Sequence, residues 1–246
     1  MMSGAIVLQY EGGLNKGEQN DQGNAYLKNL QFDYIVGWYE GDLKNGEKHG
    51  VGKEYDDKDQ VRYDGGWENG TRNGEGKAFD QDGTIWYEGG WKNDTRSGEG
   101  SEYAADGSLI YTGGWENDKK NGEGSEYNEC QQVSYDGNWK NGEKNGLGTE
   151  YHDNGQVRYD GDWENGKRNG KGQEYNEDGQ LSYDGYWKSG EKIDEGSDLD
   201  LGNSDKSFMT LSDKSFMTFN DERDRVQTGR AVCIMQIMKE TNWDKT

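Results

Sequence analysis

The chain has 246 residues, 28 Lys and Arg against 49 Asp and Glu, a net charge of −21, 40 glycines, no proline and only 28% apolar residues. One large hydrophobic core is excluded, because ordinary domains carry roughly 45–50% apolar residues. Wholesale disorder is excluded too, because 9 Trp and 16 Tyr supply most of the apolar content, and the absence of proline and of a three-residue period excludes collagen.

The chain opens MMSGAIVLQYEGG, with an apolar run over Ala5–Leu8 and no basic residue ahead of it. That run is too short for a signal peptide or a membrane span, and the expectation is a cytoplasmic protein. Cys130 and Cys233 are too few for a disulfide framework and neither lies in a CxxC pattern, so two free thiols in a reducing compartment are expected. Residues 1–38 read as a degenerate half unit, Tyr10-Glu11-Gly12-Gly13-Leu14 with Gly17 in its turn, followed by an insertion over residues 18–38.

From Tyr39 a 24-residue period takes over. Tyr39, Tyr63, Tyr87, Tyr111, Tyr135, Tyr159 and Tyr183 are each followed two residues later by Gly. Two further on come Leu43, Trp67, Trp91, Trp115, Trp139, Trp163 and Trp187. A turn such as Asn69-Gly70, a GxG pair such as Gly74 and Gly76, and a second aromatic (Tyr55, Phe79, Tyr103, Tyr127, Tyr151, Tyr175) complete each unit. A second turn such as Asp82-Gly83 leads to an aliphatic at Val61, Ile85, Leu109, Val133, Val157 or Leu181. Six full units span 39–182, a half unit runs over 183–196, and residues 197–246 form a tail.

Alternation such as Val61, Tyr63, Gly65, Trp67 predicts strands with one aromatic and one wet face. Asn-Gly and Asp-Gly between such strands predict type I′ hairpins, because both central residues then need positive φ. The predicted fold is all-β: an elongated, twisted array of antiparallel hairpins. One unit cannot stand alone, so stability has to come from neighbour-to-neighbour pairing. The glycine within YxGxW is expected to leave room for a neighbouring ring.

The tail contains a tandem octapeptide, Ser204–Leu211 then Ser212–Phe219. Its paired residues Phe208 and Met209, then Phe216 and Met217, are candidate anchors for a partner groove. Ala231, Ile234, Met235 and Met238 have helical spacing and predict a short amphipathic C-terminal helix. The acidic run Asp194–Gly202 fails as an EF-hand loop: counted from Asp198, its sixth and twelfth places hold Asn203 and Met209.

Chemistry is sparse. His49 and His152 lie in different units, and the chain has no GxSxG, P-loop or HExxH pattern. No catalytic, cofactor or metal site is expected.

At the quoted residues the sequence resembles the MORN (membrane occupation and recognition nexus) repeat family. The stretch Tyr159-Asp-Gly-Asp-Trp-Glu-Asn-Gly166-Lys-Arg-Asn-Gly170-Lys-Gly172 fits the family pattern YxGxWxxGxxxGxG throughout, and the likeness covers about 39–196. The departures are Leu43 for a Trp, Asp94 and Asp118 for turn glycines, Asp194 for a GxG glycine, and Cys130-Gln131 for a DG turn. They predict weaker edges and one loosened turn. The resemblance implies a scaffold or dimerisation surface of the kind found in protist cytoskeletal and ciliary proteins, in junctophilins and beside phosphatidylinositol phosphate kinases.

Three function classes follow. The first is a non-enzymatic protein–protein interaction scaffold in a cytoskeletal, ciliary or axonemal assembly, with other proteins as partners and a homodimer through open edge strands. Among the ring positions Trp115, Trp139 and Trp163, mid-array, are the candidates for contact. The second is a membrane or phosphoinositide adaptor, disfavoured because residues 39–196 carry 19 basic against 36 acidic side chains. The third is a carbohydrate-binding repeat protein. Nucleic acid is not an expected partner, since no Lys/Arg run exceeds two residues.

Overall fold

The computed structural model describes residues 6–12, 21–29 and 34–193. Among the described residues sixteen strands form one antiparallel sheet in simple chain order, each bonded to its sequence neighbours. The first four are β1 (Ile6–Gly12), β2 (Asp21–Asn29), β3 (Tyr34–Lys44) and β4 (Glu47–Asp56). The regular units follow as β5 (Val61–Glu68), β6 (Thr71–Phe79), β7 (Ile85–Lys92), β8 (Thr95–Tyr103), β9 (Leu109–Glu116) and β10 (Lys119–Tyr127). The last are β11 (Val133–Lys140), β12 (Glu143–Tyr151), β13 (Val157–Glu164), β14 (Lys167–Tyr175), β15 (Leu181–Lys188) and β16 (Glu191–Ile193). At about 4.8 Å between neighbouring strands the sheet is roughly 70 Å across, more than twice the length of its strands. The helix expected over Ala231–Met238 lies outside the described residues. So do the four candidate anchors of the tail, Phe208, Met209, Phe216 and Met217.

The N-terminal segment is more regular than its spacing implies. β2 pairs Gly23 with both Gly12 and Gly41, and Ala25 with both Tyr10 and Tyr39. In the next unit β4 pairs Gly52 with Gly41 and Gly65, and Glu54 with Tyr39 and Tyr63. Residues 21–29 therefore take the place of a return strand. The added residues lengthen the arms of the β2–β3 hairpin, where Tyr26 faces Trp38 and Asn29 faces Tyr34.

The two rows of turns differ. In the tight turns both central residues have positive φ, as at Asn69 (48°) and Gly70 (80°), which is the type I′ geometry expected. The second turns do not follow it. Only their last residue is left-handed, as at Gly83 (81°). Asp80 Oδ1 accepts hydrogen bonds from the Asp82 and Thr84 amides at 2.9 Å, so an aspartate rather than a dipeptide organises this turn. Asp56, Asn128 and Asn176 do the same in their units.

The expected loosening at Cys130-Gln131 is absent. Gln131 takes φ 58°, the backbone bonds of the turn match those of its neighbours, and the Gln131 side chain bonds both backbone groups of Leu109 one unit earlier. Cys130 is disulfide-bonded, where the sequence reading expects a free thiol. The Asp94 and Asp118 turns are also reinforced: Asp94 Oδ1 accepts from Arg72 N at 2.9 Å and Nε at 3.2 Å, and Asp118 holds Arg96 in the same way. Asp94→Ala removes these bonds and keeps a left-handed L residue, so a loss of about 1–2 kcal/mol is expected. Asp94→Gly relieves the backbone and should stay within about 0.5 kcal/mol of the parent. Urea midpoints of the two variants check this.

A bulge at each second turn overturns one expectation about the faces. Glu54 faces Tyr63 but Tyr55 faces Val61, with Arg62 as the extra residue. Cross-strand partners share a face, and successive residues of β4 alternate. Val61 and its equivalents therefore lie with the second aromatics, opposite the Tyr–Trp ladder. The simple alternation Val61, Tyr63, Gly65, Trp67 breaks because one inserted residue resets the period.

Candidate interaction surface

The front face is a continuous aromatic ladder. Tyr39, Tyr63, Tyr87, Tyr111, Tyr135 and Tyr159 are at most 1% exposed. Tyr63 through Tyr159 each stand edge-on to the Trp four residues later, at 5.0–5.2 Å, while Tyr39 has Leu43 in that place. Each also meets the Trp of the next unit at 5.4–5.6 Å. These are the edge-to-face contacts aromatic quadrupoles favour. Every ring also ties off its polar atom. Tyr135 Oη donates to the Asn138 carbonyl at 3.1 Å, and Trp139 Nε1 donates to the Gly124 carbonyl at 3.0 Å.

The glycines make a single sheet sufficient for this burial. A Cβ on Gly148 would lie 2.2 Å from Tyr135 Oη and 2.5 Å from Cζ, so the ring lies directly on that backbone. The YxGxW glycine serves a different purpose. A Cβ on Gly137 would lie 2.4 Å from the Gly148 Cα, so this glycine admits the close approach of two strands.

Burial raises the ladder phenols. Tyr159 is pushed up to about 12, and desolvation drives Tyr39, Tyr63, Tyr87, Tyr111 and Tyr135 higher still. An unfolded tyrosine ionises near 10.0, so above that pH the unfolded chain binds fewer protons than the folded one. The associated stability is fully present below pH 10 and is lost as pH climbs through the folded values. Loss of far-ultraviolet circular dichroism together with tyrosinate absorbance is expected between roughly pH 10 and 12, rather than tyrosinate appearing in a folded array.

A layer unforeseen from sequence covers the rings. Lys48, Arg72, Arg96, Lys120, Lys144, Arg168 and Lys192 recur every 24 residues, each over the Tyr of its own unit; the first six also cover the Trp of the next unit, and Lys192 covers Trp187 of its own. Arg96 lies 3.9 Å from the Trp115 centroid, the tightest of these contacts. A column of carboxylates answers the cations: Lys48 pairs with Glu54, Arg96 with Glu102 at 2.8 Å and Lys120 with Glu126 at 2.7 Å. The clue was a basic residue in the same place of every unit in a chain of net charge −21.

The structure places Trp115, Trp139 and Trp163 beneath this layer, 5%, 6% and 7% exposed. The back face is different. Tyr55, Phe79, Tyr103, Tyr127, Tyr151 and Tyr175 are all half-buried there, with Val61, Ile85, Leu109, Val133 and Val157 beside them. Polar pairs flank them, including Lys53–Asp64, Lys77–Glu88, Ser101–Thr112 and Ser125–Asp136. Val51 and Leu147 stand 66% exposed. An open polar recess of about 600 Å³ lies by the tight turns around Glu143, Asn145 and Trp163.

The histidines do not meet. His152 Nε2 contacts the Tyr175 carbonyl at 3.0 Å, while His49 Nδ1 is buried without a partner. Among the described residues no three His, Cys, Asp or Glu side chains converge as metal ligands, and no helix is long and apolar enough to cross a membrane.

No curated protein matches the chain. The MORN repeat model matches six segments, 39–60, 63–85, 87–109, 111–128, 135–157 and 159–180, which together make up more than half of the sequence. Each segment contains one ladder Tyr and the GxG pair of its return strand. The repeat pattern and the hairpin sheet built from it show that this chain belongs to the MORN-repeat family.

Proposed function

We propose that this chain is a non-enzymatic protein–protein interaction scaffold and that its back face meets the partner. The observation that carries this is the half-buried column of Tyr55, Phe79, Tyr103, Tyr127, Tyr151 and Tyr175. Aromatic side chains with part of their area already ordered are good anchors, since binding costs them little further entropy. The front ladder supplies rigidity: Trp115, Trp139 and Trp163 support the surface from within rather than touching the partner. The tail residues Phe208, Met209, Phe216 and Met217 are proposed as a second contact. Placement in a cytoskeletal or ciliary assembly, in the cytoplasm, is part of the same proposal and rests on family resemblance.

The test is affinity capture from cytosolic and detergent-free cytoskeletal fractions, with identified partners compared across three baits. These are the parent chain, Tyr103→Ser/Tyr127→Ser, and a 1–196 truncation, with anionic liposome flotation in parallel. The expectation is that one set of partners survives truncation and is lost with the tyrosines. Partners lost only on truncation would move recognition to the tail, and flotation without any protein partner would replace the scaffold reading by a membrane one. A homodimer through the outermost strands, β1 and β16, is also proposed, and concentration-dependent sedimentation tests it.

A further inference from the structure

The turn between β10 and β11 carries Cys130 where Asp82, Asp106 and Asp178 stand in other units. The cysteine is exposed, and Asn128 Oδ1 fixes the backbone around it by accepting from the Cys130 and Gln132 amides at 3.0 Å. It is nevertheless disulfide-bonded. The chain has two cysteines, and Cys233, outside the described residues, is the other. Within one chain the bond can only join these two.

This turn borders the back face. Tyr127 ends β10 and is paired with Val133, which begins β11. Tyr103 and Tyr127 are half-buried there, and among the described residues no second sheet or helix packs over them. Glu123 lies four residues before Tyr127 on the same strand, so the two share a face. Glu75 and Glu99 are its equivalents on β6 and β8, and all three are exposed. The back face at mid-array is thus an aromatic column beside the second turns with a row of carboxylates toward the tight turns.

We infer that this chain's own segment 230–239 covers the back face at Tyr127, held there by a Cys130–Cys233 disulfide. The segment, Arg230-Ala-Val-Cys-Ile-Met-Gln-Ile-Met-Lys239, suits the seat in composition and in charge. It brings Ile234, Met235, Ile237 and Met238 to the rings, and thioethers pack well against aromatic edges. It carries two basic residues and no carboxylate, in a chain of net charge −21. Its helical spacing also fits the tether. At roughly 100° per residue Cys233 falls at one margin of the apolar arc centred near Ile234, and Lys239 falls beyond the other. A helix laid on the rings with Cys233 toward the turn therefore has Lys239 on the side of Glu75, Glu99 and Glu123. Ten helical residues span about 15 Å, and successive aromatics of the column lie about 10 Å apart, so the segment covers Tyr127 and one neighbour. The disulfide makes the docking intramolecular, which raises the local concentration of the segment to the order of millimolar, so weak contacts suffice. A partner at this face would have to displace the segment. Cover and partner are tested separately, because the cover is read on the isolated chain.

Peptide mapping of the intact protein, digested without reduction, should yield a peptide pair joined through Cys130 and Cys233. A link between two copies of Cys130, or two free thiols, would overturn the inference. Tyrosine nitration then reads the cover. Tyr127 should react about fivefold more slowly in the disulfide-linked parent than in Cys130→Ser/Cys233→Ser, while Tyr55, three units away, reacts equally in both. Ile234→Ser/Met238→Ser keeps the tether and removes the apolar face, and Tyr127 should then react at the untethered rate. Circular dichroism checks that each variant keeps the sheet. Equal Tyr127 rates in the linked parent and the double serine variant, or protection that survives Ile234→Ser/Met238→Ser, would show that the segment does not seat on the rings.

Discussion

Replacing Trp139 by alanine is expected to lower the stability of the array by about 3–5 kcal/mol, the range for deleting a buried large aromatic. The ring is 6% exposed and lies between Tyr135 at 5.1 Å and Tyr111 at 5.5 Å, joining two consecutive units edge-on. Its indole N–H satisfies the Gly124 carbonyl, and Lys120 caps it at 4.6 Å. Among the described residues no second sheet or helix packs on this face, so little can collapse into the space and the cavity term should be felt nearly in full. In a linear array each unit is stabilised mainly by its neighbours, and a fault at this place should separate the melting of the strands before β10 from those after β11. Urea unfolding followed by circular dichroism, with hydrogen exchange resolved along the chain, measures both effects. A loss below about 1 kcal/mol with partner binding abolished would make Trp139 a recognition residue and not a structural one.

Gly148→Ala is the second large effect, and it comes from adding one carbon. The backbone there does not need a left-handed conformation, so the penalty is purely steric. The new Cβ would sit 2.2 Å from Tyr135 Oη. The ring has no room to yield: it is wholly buried, its hydroxyl is held by the Asn138 carbonyl, and Trp139 and Trp163 flank it at 5.1 and 5.4 Å. Overpacking of a fitted core typically costs about 1–3 kcal/mol, and a loss at or above the upper end is expected here. The double variant Gly148→Ala/Tyr135→Leu tests the cause. If the methyl–ring clash is responsible, the second change should add far less than Tyr135→Leu costs alone. Additive losses would place the penalty in the strand itself.

These two sites show how far the sequence could be read. The 24-residue recurrence of Tyr, Gly and Trp was enough to settle hairpins, order and the aromatic face, because each residue type there answers a local demand. Asn69-Gly70 is required by two positive φ angles, and the tyrosine column by the need to bury one face. The return strand over residues 21–29 was less legible: Ala25 stands where Glu54 stands in the next unit, and a longer hairpin arm hides the spacing. The cation column was visible as a periodic basic residue, but charge alone does not say that it lies on rings.

Three features were decided only in three dimensions. The bulge opposite Tyr55 turns Val61 away from Tyr63, which creates the back-face column proposed to bind. The depth of Trp115, Trp139 and Trp163 depends on the cation layer that closes over them, and a strand pattern cannot distinguish a covered aromatic face from an open one. Which carboxylates the fork of Arg168 holds, Glu150 and Glu174, is set by contacts between residues 18 and 6 apart. Local periodicity determines the strands because backbone sterics and burial act residue by residue. It cannot determine these contacts, because each is a choice among several partners that only the assembled sheet brings within reach.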